Sequence, residues 1–327
     1  TRYESSAASD VYKRQDVDPD LGIIFFGSEA PPPQGVEYDK NFYTSTNHYW
    51  LTWGAQEGLR YGIENVHPML DMSTIESPVS FVSKSKFESN QKQIRLGGVN
   101  TNEQWDGFEH FFYRKVVVGG GNEDYNFQLS NLLESGTYKL TVKLQGVIDS
   151  FRRVNLSLND RLLGSIEWSG IRSQKFISND FPNSDLINGL NNLYISVEDL
   201  DDGIDKVALD WIEIEYDHKY KVNEDQLYFN KQGNYSTNAH FNIGGFSNSN
   251  IIIFKTGETR LTDFLITEYE DDFHAVFQDQ IINESQSYFI STIVKIPYPS
   301  TIQAVQPLDD LNNQESNYII IAPDSFR

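Results

Sequence analysis

Cysteine is absent from this 327-residue chain. These residues can therefore form no disulfide, offer no thiolate to a metal and supply no cysteine nucleophile. Cations are scarce as well. Lys and Arg number 26 against 47 Asp and Glu, a net charge of −21. No basic stripe is present to neutralise phosphates, which argues against nucleic-acid and anionic-membrane binding. No apolar run approaches the roughly 18 residues of a membrane-crossing helix, so no membrane insertion is expected. The longest apolar runs, such as Ile251–Phe254, have the length of a strand. Histidine is rare: His48, His67, His110, His218, His240 and His274 stand singly, without the close pairing that binds a metal. No serine lies in a Gly-x-Ser-x-Gly elbow, the turn that presents a hydrolase nucleophile. Gly119–Asn122 lacks the Gly-Lys-Ser/Thr ending of a phosphate loop and reads as a turn.

Aromatic residues are plentiful instead, with 18 Tyr and 21 Phe, and hydrophobic residues make up 39% of the chain. That is enough for real cores and too much for a disordered protein. Set among many Asn, Ser, Thr and Gly, it predicts a mainly β fold with polar turns. The clearest domain spans residues 81–217 and reads as an antiparallel β-sandwich of jelly-roll type. Tyr138, Leu140, Val142 and Leu144 share one strand face, as do Val154, Leu156 and Leu158, and Leu193, Ile195 and Val197. Val207, Leu209 and Trp211 are assigned to the core. Ile212, Ile214 and Tyr216 have the opposite parity, which predicts a bulge or a strand buried on both faces.

Ahead of this domain, residues 16–80 form an irregular leading β region, with strands expected at Leu21–Phe26 and Tyr49–Trp53 around the stiff Pro31–Pro33 run. Behind it, residues 218–313 read as a second β domain. Residues 314–327 hold the end of a polar linker and Tyr318–Ile321, a continuous apolar run suited to a strand buried on both faces of a parallel sheet. A parallel strand needs a crossover of a dozen or more residues to find its neighbour. The expectation is therefore the first strand of an α/β catalytic domain that continues past Arg327, with this chain as a truncated front portion.

Four carboxylates, Asp199, Asp201, Asp202 and Asp205, crowd around Gly203. They could supply oxygen ligands to Ca²⁺, although Ile204 stands where an EF-hand loop has its glycine. A solvated acidic loop between two strands is the competing reading. No other cofactor is expected. Acidic residues are so widespread that no hydrolytic carboxylate pair can be singled out. Among Trp105, Trp168 and Trp211, Trp168 lies nearest a turn and is the candidate for an exposed sugar-stacking platform, although core or rim packing is the favoured reading.

Three segments carry a family resemblance. Tyr318-Ile-Ile-Ile-Ala-Pro-Asp-Ser-Phe326 resembles the opening strand of the catalytic domain in gingipain-type cysteine peptidases. Tyr49-Trp-Leu-Thr-Trp-Gly54 resembles a motif in the N-terminal regions of their larger relatives, including the sortase of the type IX secretion system. Ala208-Leu-Asp-Trp-Ile-Glu-Ile-Glu-Tyr216 is similar to a segment that closes a β-sandwich ahead of the peptidase. Their order and spacing match, and the resemblance covers the chain from about Tyr49 onward. It implies a His–Cys dyad beyond Arg327 and no catalytic residue in this chain. The role implied is a non-catalytic accessory region of an exported gingipain-type endopeptidase or secretion-linked sortase. Its expected partners are the C-terminal peptidase domain of the same polypeptide and secretion-system components. The expected location is outside the cell or on the surface of a Gram-negative bacterium. Leu186-Ile-Asn-Gly-Leu-Asn-Asn-Leu193 resembles instead the entry to a late strand in sugar-binding jelly rolls. It keeps open a second reading, a free-standing secreted carbohydrate-binding or adhesive β-sandwich protein. Ser5–Gln15 resembles translated sequencing-adapter DNA, and residues 1–15 are set aside from the fold.

Overall fold

The computed structural model describes residues 15–18, 22–27, 30, 44, 46–49, 58–68, 75–94, 96, 111–200, 205–232, 237–281 and 285–303. The adapter-like segment up to residue 14, Trp50–Trp53, Trp105, Asp201, Asp202 and Tyr318–Ile321 lie outside them. Every regular element among the described residues is a strand, apart from two 3₁₀ turns at Asn183–Asp185 and Ile293–Lys295. All named strands belong to the first of two compact units, residues 1–295, the second being 296–327. The mainly β class and the antiparallel sheets expected from the sequence are what forms.

The leading residues give β1 (Gln15–Asp18), β2 (Gly22–Phe25) and β3 (Gly62–Asn65). The first sandwich follows with β4 (Ser80–Glu88), β5 (Lys92–Gln93), β6 (Phe111–Phe112), β7 (Val116–Val118) and β8 (Asn122–Leu129). It continues with β9 (Thr137–Gly146), β10 (Phe151–Leu158), β11 (Arg161–Ser169) and β12 (Ser173–Ile177). The short β13 (Phe181–Pro182), β14 (Gly189–Val197) and the long β15 (Lys206–Lys219) complete it. One sheet runs β11-β10-β14-β8 and the other β12-β9-β15-β4. Period-two alternation sends Tyr138, Leu140, Val142, Val154, Leu156, Leu158, Leu193, Ile195, Val197 and Leu209 into the space between them, all essentially fully buried. Each large apolar side chain so buried contributes about 1.5–3 kcal/mol.

Of the two described strand tryptophans, Trp211 departs from the core place expected for it. The pairing of β15 with β9 shifts register between Leu209 and Trp211, so the predicted bulge is real and sits at Asp210. The parity flip therefore falls one residue before Trp211. The indole turns to the outer face, half-buried, while Ile212, Ile214 and Tyr216 return to the core. Trp168, the candidate for exposure for which core or rim packing is favoured, is buried in that core. A second irregularity puts it there. Gly164 takes φ +143°, a conformation that suits glycine, where the pairing of β11 with β10 slips between Leu156 and Ser157.

The second sandwich contains β16 (Gln226–Gln232), β17 (Thr237–Phe246), β18 (Ile251–Lys255) and β19 (Thr259–Thr262). It ends with β20 (Leu265–Tyr269), β21 (Asp272–Ile281) and β22 (Ser285–Thr292). Its sheets are β16-β22-β18-β19-β3 and β17-β21-β20. The described leading residues thus belong to this sandwich. β3 adds to β19 as a parallel edge strand, and Arg260 pairs with Asp16 at 2.8 Å. Phe26 meets Phe254 and Phe289 edge-on, and Tyr61 packs on Phe254. This cover explains why all five residues of β18 are buried. Ile251 and Ile253 face the core, while Phe254 meets the leading segment. Inside, the ammonium of Lys255 lies 2.9 Å from Asp279 and 3.0 Å from Glu64, and the Tyr288 hydroxyl donates to Asp279.

Two strands join the sandwiches. β4 and β15 pair without a break from Trp211↔Glu88 to Lys219↔Ser80. Phe87 packs on the first core and Phe81 lies in the second. His218 is buried at the join, against Phe81 and Tyr216.

Candidate functional site at the loop end of the first sandwich

The alternation of β10 reaches two residues further back than its apolar run. Val154, Leu156 and Leu158 face inward, and so does Arg152, which is fully buried. A guanidinium at a core position must satisfy five N–H donors without water. Here Nε contacts both oxygens of Asp205 at 3.0 and 3.1 Å. Nη1 donates to the Gly170 carbonyl at 2.7 Å, and Nη2 donates to the Ile148 carbonyl and the Ser150 hydroxyl. The plane lies over the Trp168 ring, 4.9 Å from its centroid, a favourable place for a desolvated cation. Gly146 makes room, since a Cβ there would fall 1.8 Å from Nη1.

This hub fixes three chain segments around one shallow cleft. Its walls include Gly119, Ser150, Phe151, Glu198, Asp199 and Asp205. Asp205 is fully engaged. Besides Arg152, its Oδ1 accepts from the Ser150 hydroxyl at 2.7 Å and from the Lys206 N–H at 2.8 Å. Glu198 accepts from Arg153 and Asn155. Hydrogen bonds from Asn155 and Arg153 hold its carboxyl below the ordinary carboxylate value, against a smaller opposing effect of burial. Asp199 borders the cleft, whereas Asp201 and Asp202 lie outside the described residues. Of the four expected Ca²⁺ ligands, the structure therefore places Asp199 and Asp205, and Asp205 serves Arg152. Among the described residues no group of three His, Asp or Glu side chains is arranged to hold a metal.

Nor do the described histidines meet a nucleophile. His274 lies 3.0 Å from Asp272 and 2.7 Å from Asn242 Oδ1. His67 is next to Asp263, and His240 is next to Gln278. The Ser150 hydroxyl donates to the Asp205 carboxylate, which Arg152 already engages, rather than to a histidine.

The outer face of the β12-β9-β15-β4 sheet holds a second cluster. Cross-strand register lines up Lys175, Lys143, Trp211 and Glu88 in one row. Lys143 pairs with the buried Asp210 at 2.9 Å. Burial pushes the Asp210 carboxyl above the ordinary value despite that pair. The ammoniums of Lys86 and Lys175 lie 4.6 and 5.3 Å from the Trp211 ring centroid.

Sequence reasoning missed Arg152, although carrying the β10 parity back two residues would have found it. It also missed the outward turn of Trp211, which depends on where in β15 the bulge falls.

The fold is similar to part of the crystal structure of dimeric latent PorU from Porphyromonas gingivalis. The TM-score is 0.53 at 12% identity, over 76% of this chain and 23% of that one. The chain thus spans about a quarter of the PorU chain's length. Two smaller structures align with TM-scores of 0.27 and 0.26, each at 16% identity and over 40% of this chain. One is the CBM36-1 domain of a multidomain xylanase from the hindgut metagenome of Trinervitermes trinervoides, covered to 96%. The other is a carbohydrate-binding module CBM36 in complex with calcium and xylotriose, covered to 98%. No family model matches the chain, and no curated protein matches its sequence. Among the described residues no helix is long and apolar enough to cross a membrane.

Proposed function

We propose that this chain is a non-catalytic accessory region of an exported gingipain-type cysteine endopeptidase or secretion-linked sortase. It packs against the catalytic domain of its own polypeptide and positions it outside the cell. The observation that carries this reading is the fold likeness to PorU, which takes in most of this chain and a minor part of a much longer protein. The order of the Tyr49–Gly54, Ala208–Tyr216 and Tyr318–Phe326 segments supports it. So does the construction of the two sandwiches. Strands of the first sandwich that reach the second core at Phe81, with an aromatic join at His218, suit a spacer that holds geometry rather than a flexible tether. Secretion-system components are further partners under this reading.

The test is to sequence the gene beyond Arg327 and express the whole reading frame. The expected continuation is an α/β domain carrying a His and then a Cys, with peptidase activity that a thiol-directed inhibitor abolishes. The present chain alone should show no such activity. A reading frame without that domain overturns the proposal. A second reading, a free-standing carbohydrate-binding or adhesive sandwich, is favoured by the outward-facing Trp211 among lysines.

A further inference from the structure

The second sandwich buries an amine against a carboxyl. In β18, Ile251 and Ile253 face the core, and the same parity turns Lys255 inward. In β21 of the facing sheet, Ala275 and Phe277 point inward, and the next inward position is Asp279. The two side chains are 5% and 1% exposed and meet across the sandwich, with Nζ 2.9 Å from Asp279 Oδ1. A well-packed apolar pair often holds such a place as firmly, so stability alone does not account for these residues. What they add is a nucleophile and an electrophile held together away from water, the condition for amide formation.

Their surroundings supply the rest of the chemistry. Tyr288, directly opposite Lys255 on β22, is fully buried, and its hydroxyl donates to Asp279 Oδ2. Burial, reinforced by the Asp279 charge, pushes this phenol far above its ordinary value, so it remains a donor. A donor at that oxygen stabilises the negative charge it gains in a tetrahedral intermediate. Glu64 reaches the same Nζ from β3, at 3.1 and 3.0 Å, and accepts from the Thr259 hydroxyl at 2.9 Å. It is 36% exposed and links the cluster to solvent. Burial pushes the Asp279 carboxyl above the ordinary value, against Tyr288 and Lys255. Burial also opposes the charge on Glu64, but bonds from Lys255, Thr259 and Asp279 outweigh it and hold Glu64 low. The ammonium of Lys255 stays above its ordinary value, because the two carboxyl groups outweigh burial. The cluster thus holds an acid at Asp279, a base at Glu64 and an ammonium between them.

We propose that Lys255 and Asp279 condense to an intramolecular isopeptide bond, with Glu64 as proton carrier and Tyr288 as oxyanion donor. Glu64 takes a proton from the Lys255 ammonium, and the freed amine attacks Cγ of the Asp279 carboxylic acid. The N–C bond forms and Oδ2 takes the negative charge under the Tyr288 hydroxyl. Glu64 then protonates the Oδ1 hydroxyl and takes the second proton from nitrogen. The C–Oδ1 bond breaks, water leaves, and Oδ2 becomes the amide oxygen. An ammonium, a carboxylic acid and a carboxylate become an amide, a water and a protonated Glu64, which returns its proton to solvent. Atoms and charge balance without a further reactant. The product ties the two sheets of the second sandwich covalently in a chain that has no cysteine.

Such a bond suits an accessory spacer and an adhesive sandwich alike, so sequencing past Arg327 and weighing this chain answer separate questions. The purified chain, folded and then denatured for mass spectrometry, should be lighter than its sequence mass by one water. Tandem spectra of a digest should show the peptides of Lys255 and Asp279 joined in one branched species. Asp279→Ala and Lys255→Met should each keep the full mass. Glu64→Gln, a change at the partly exposed end of the cluster, should fold with parental circular dichroism yet appear mainly at full mass just after purification. A folded parent chain at full mass after prolonged incubation at physiological temperature overturns the proposal. So does a water lost with the two peptides unlinked, which marks an aspartyl succinimide elsewhere. Complete bond formation in freshly purified Glu64→Gln overturns the role of Glu64.

Discussion

Replacing Arg152 by Met keeps the apolar stem and removes the guanidinium. The losses are definite: the contacts to Asp205, the bonds to the Gly170 and Ile148 carbonyls and the Ser150 hydroxyl, and the packing over Trp168. Asp205 stays behind at 6% exposure with its counter-charge gone. Removing one partner of a buried pair costs about 3–5 kcal/mol, a large share of the roughly 5–15 kcal/mol that holds a native protein together. At about 2–4 °C per kcal/mol for a unit of this size, the melting temperature should fall by about 6–20 °C. Thermal unfolding followed by near-ultraviolet circular dichroism and by urea titration measures it. Arg152→Met/Asp205→Leu should recover at least half of the loss, because an apolar pair of similar volume often replaces a buried ion pair at little cost. Gly146→Ala should reproduce the damage from the other side, since its Cβ and the guanidinium cannot coexist. An Arg152→Met variant melting within about 2 °C of the parent would refute the hub.

Trp168→Ala should cost about 3–5 kcal/mol, and Trp211→Ala about 1 kcal/mol or less; comparable losses in urea unfolding would contradict a buried Trp168 and an outward Trp211. Lys255→Met leaves the buried Asp279 unpaired and should cost about 3–5 kcal/mol, whereas Lys84→Met, at an exposed pair with Glu213, should cost at most about 1 kcal/mol. Burial holds His218 below its ordinary value of 6.5, against a smaller opposing effect of its bond to the Lys219 carbonyl. The unfolded chain therefore binds a proton at a higher pH than the folded one, so stability is full above 6.5 and declines as pH falls towards the lowered value. Melting temperatures at about pH 7.5 and about pH 5.5 should differ less in His218→Gln than in the parent, and equal differences would exclude His218 as the source.

The core of the first sandwich was legible because burial on a strand leaves a period-two trace. Val154-x-Leu156-x-Leu158 and Leu193-x-Ile195-x-Val197 needed no further information. The bulge in β15 was legible too, as a clash of parities, but its position was not. Val207, Leu209 and Trp211 share one parity, and nothing local marks that the flip comes before the indole, at Asp210, which pairs with Lys143. β3 left no trace. Gly62-Ile-Glu-Asn65 has one large apolar residue, Ile63, and that residue is exposed. The strand is held by its parallel pairing with β19 and by the bond of Glu64 to Lys255, neither of which has a local pattern. Asp205 was read as a metal ligand because carboxylate density is visible in sequence, while a guanidinium arriving from fifty residues away is not.

Each sandwich has a buried cation–carboxylate hub, Arg152–Asp205 in the first and Lys255–Asp279 in the second, and each hub reaches a segment distant in sequence. Apolar burial is non-directional. It can fill the space under the loops around residues 146–150, 170 and 205 without deciding how those loops dock. The Arg152 bonds do decide it, since Nε is directed to Asp205, Nη1 to Gly170, and Nη2 to Ile148 and Ser150. Stability and definition should therefore separate in Arg152→Met/Asp205→Leu. The variant should regain melting temperature, yet amide exchange should accelerate at Gly119, Val147 and Gly170. Their N–H groups bond Asp205, Lys206 and Ser150 across the loop end. Exchange there should rise at least ten-fold, while amides of β9 and β14 in the sheet interiors keep parental rates. Unchanged protection at the three loop amides would mean that packing alone defines the cleft, and that the hub is a replaceable part of the core.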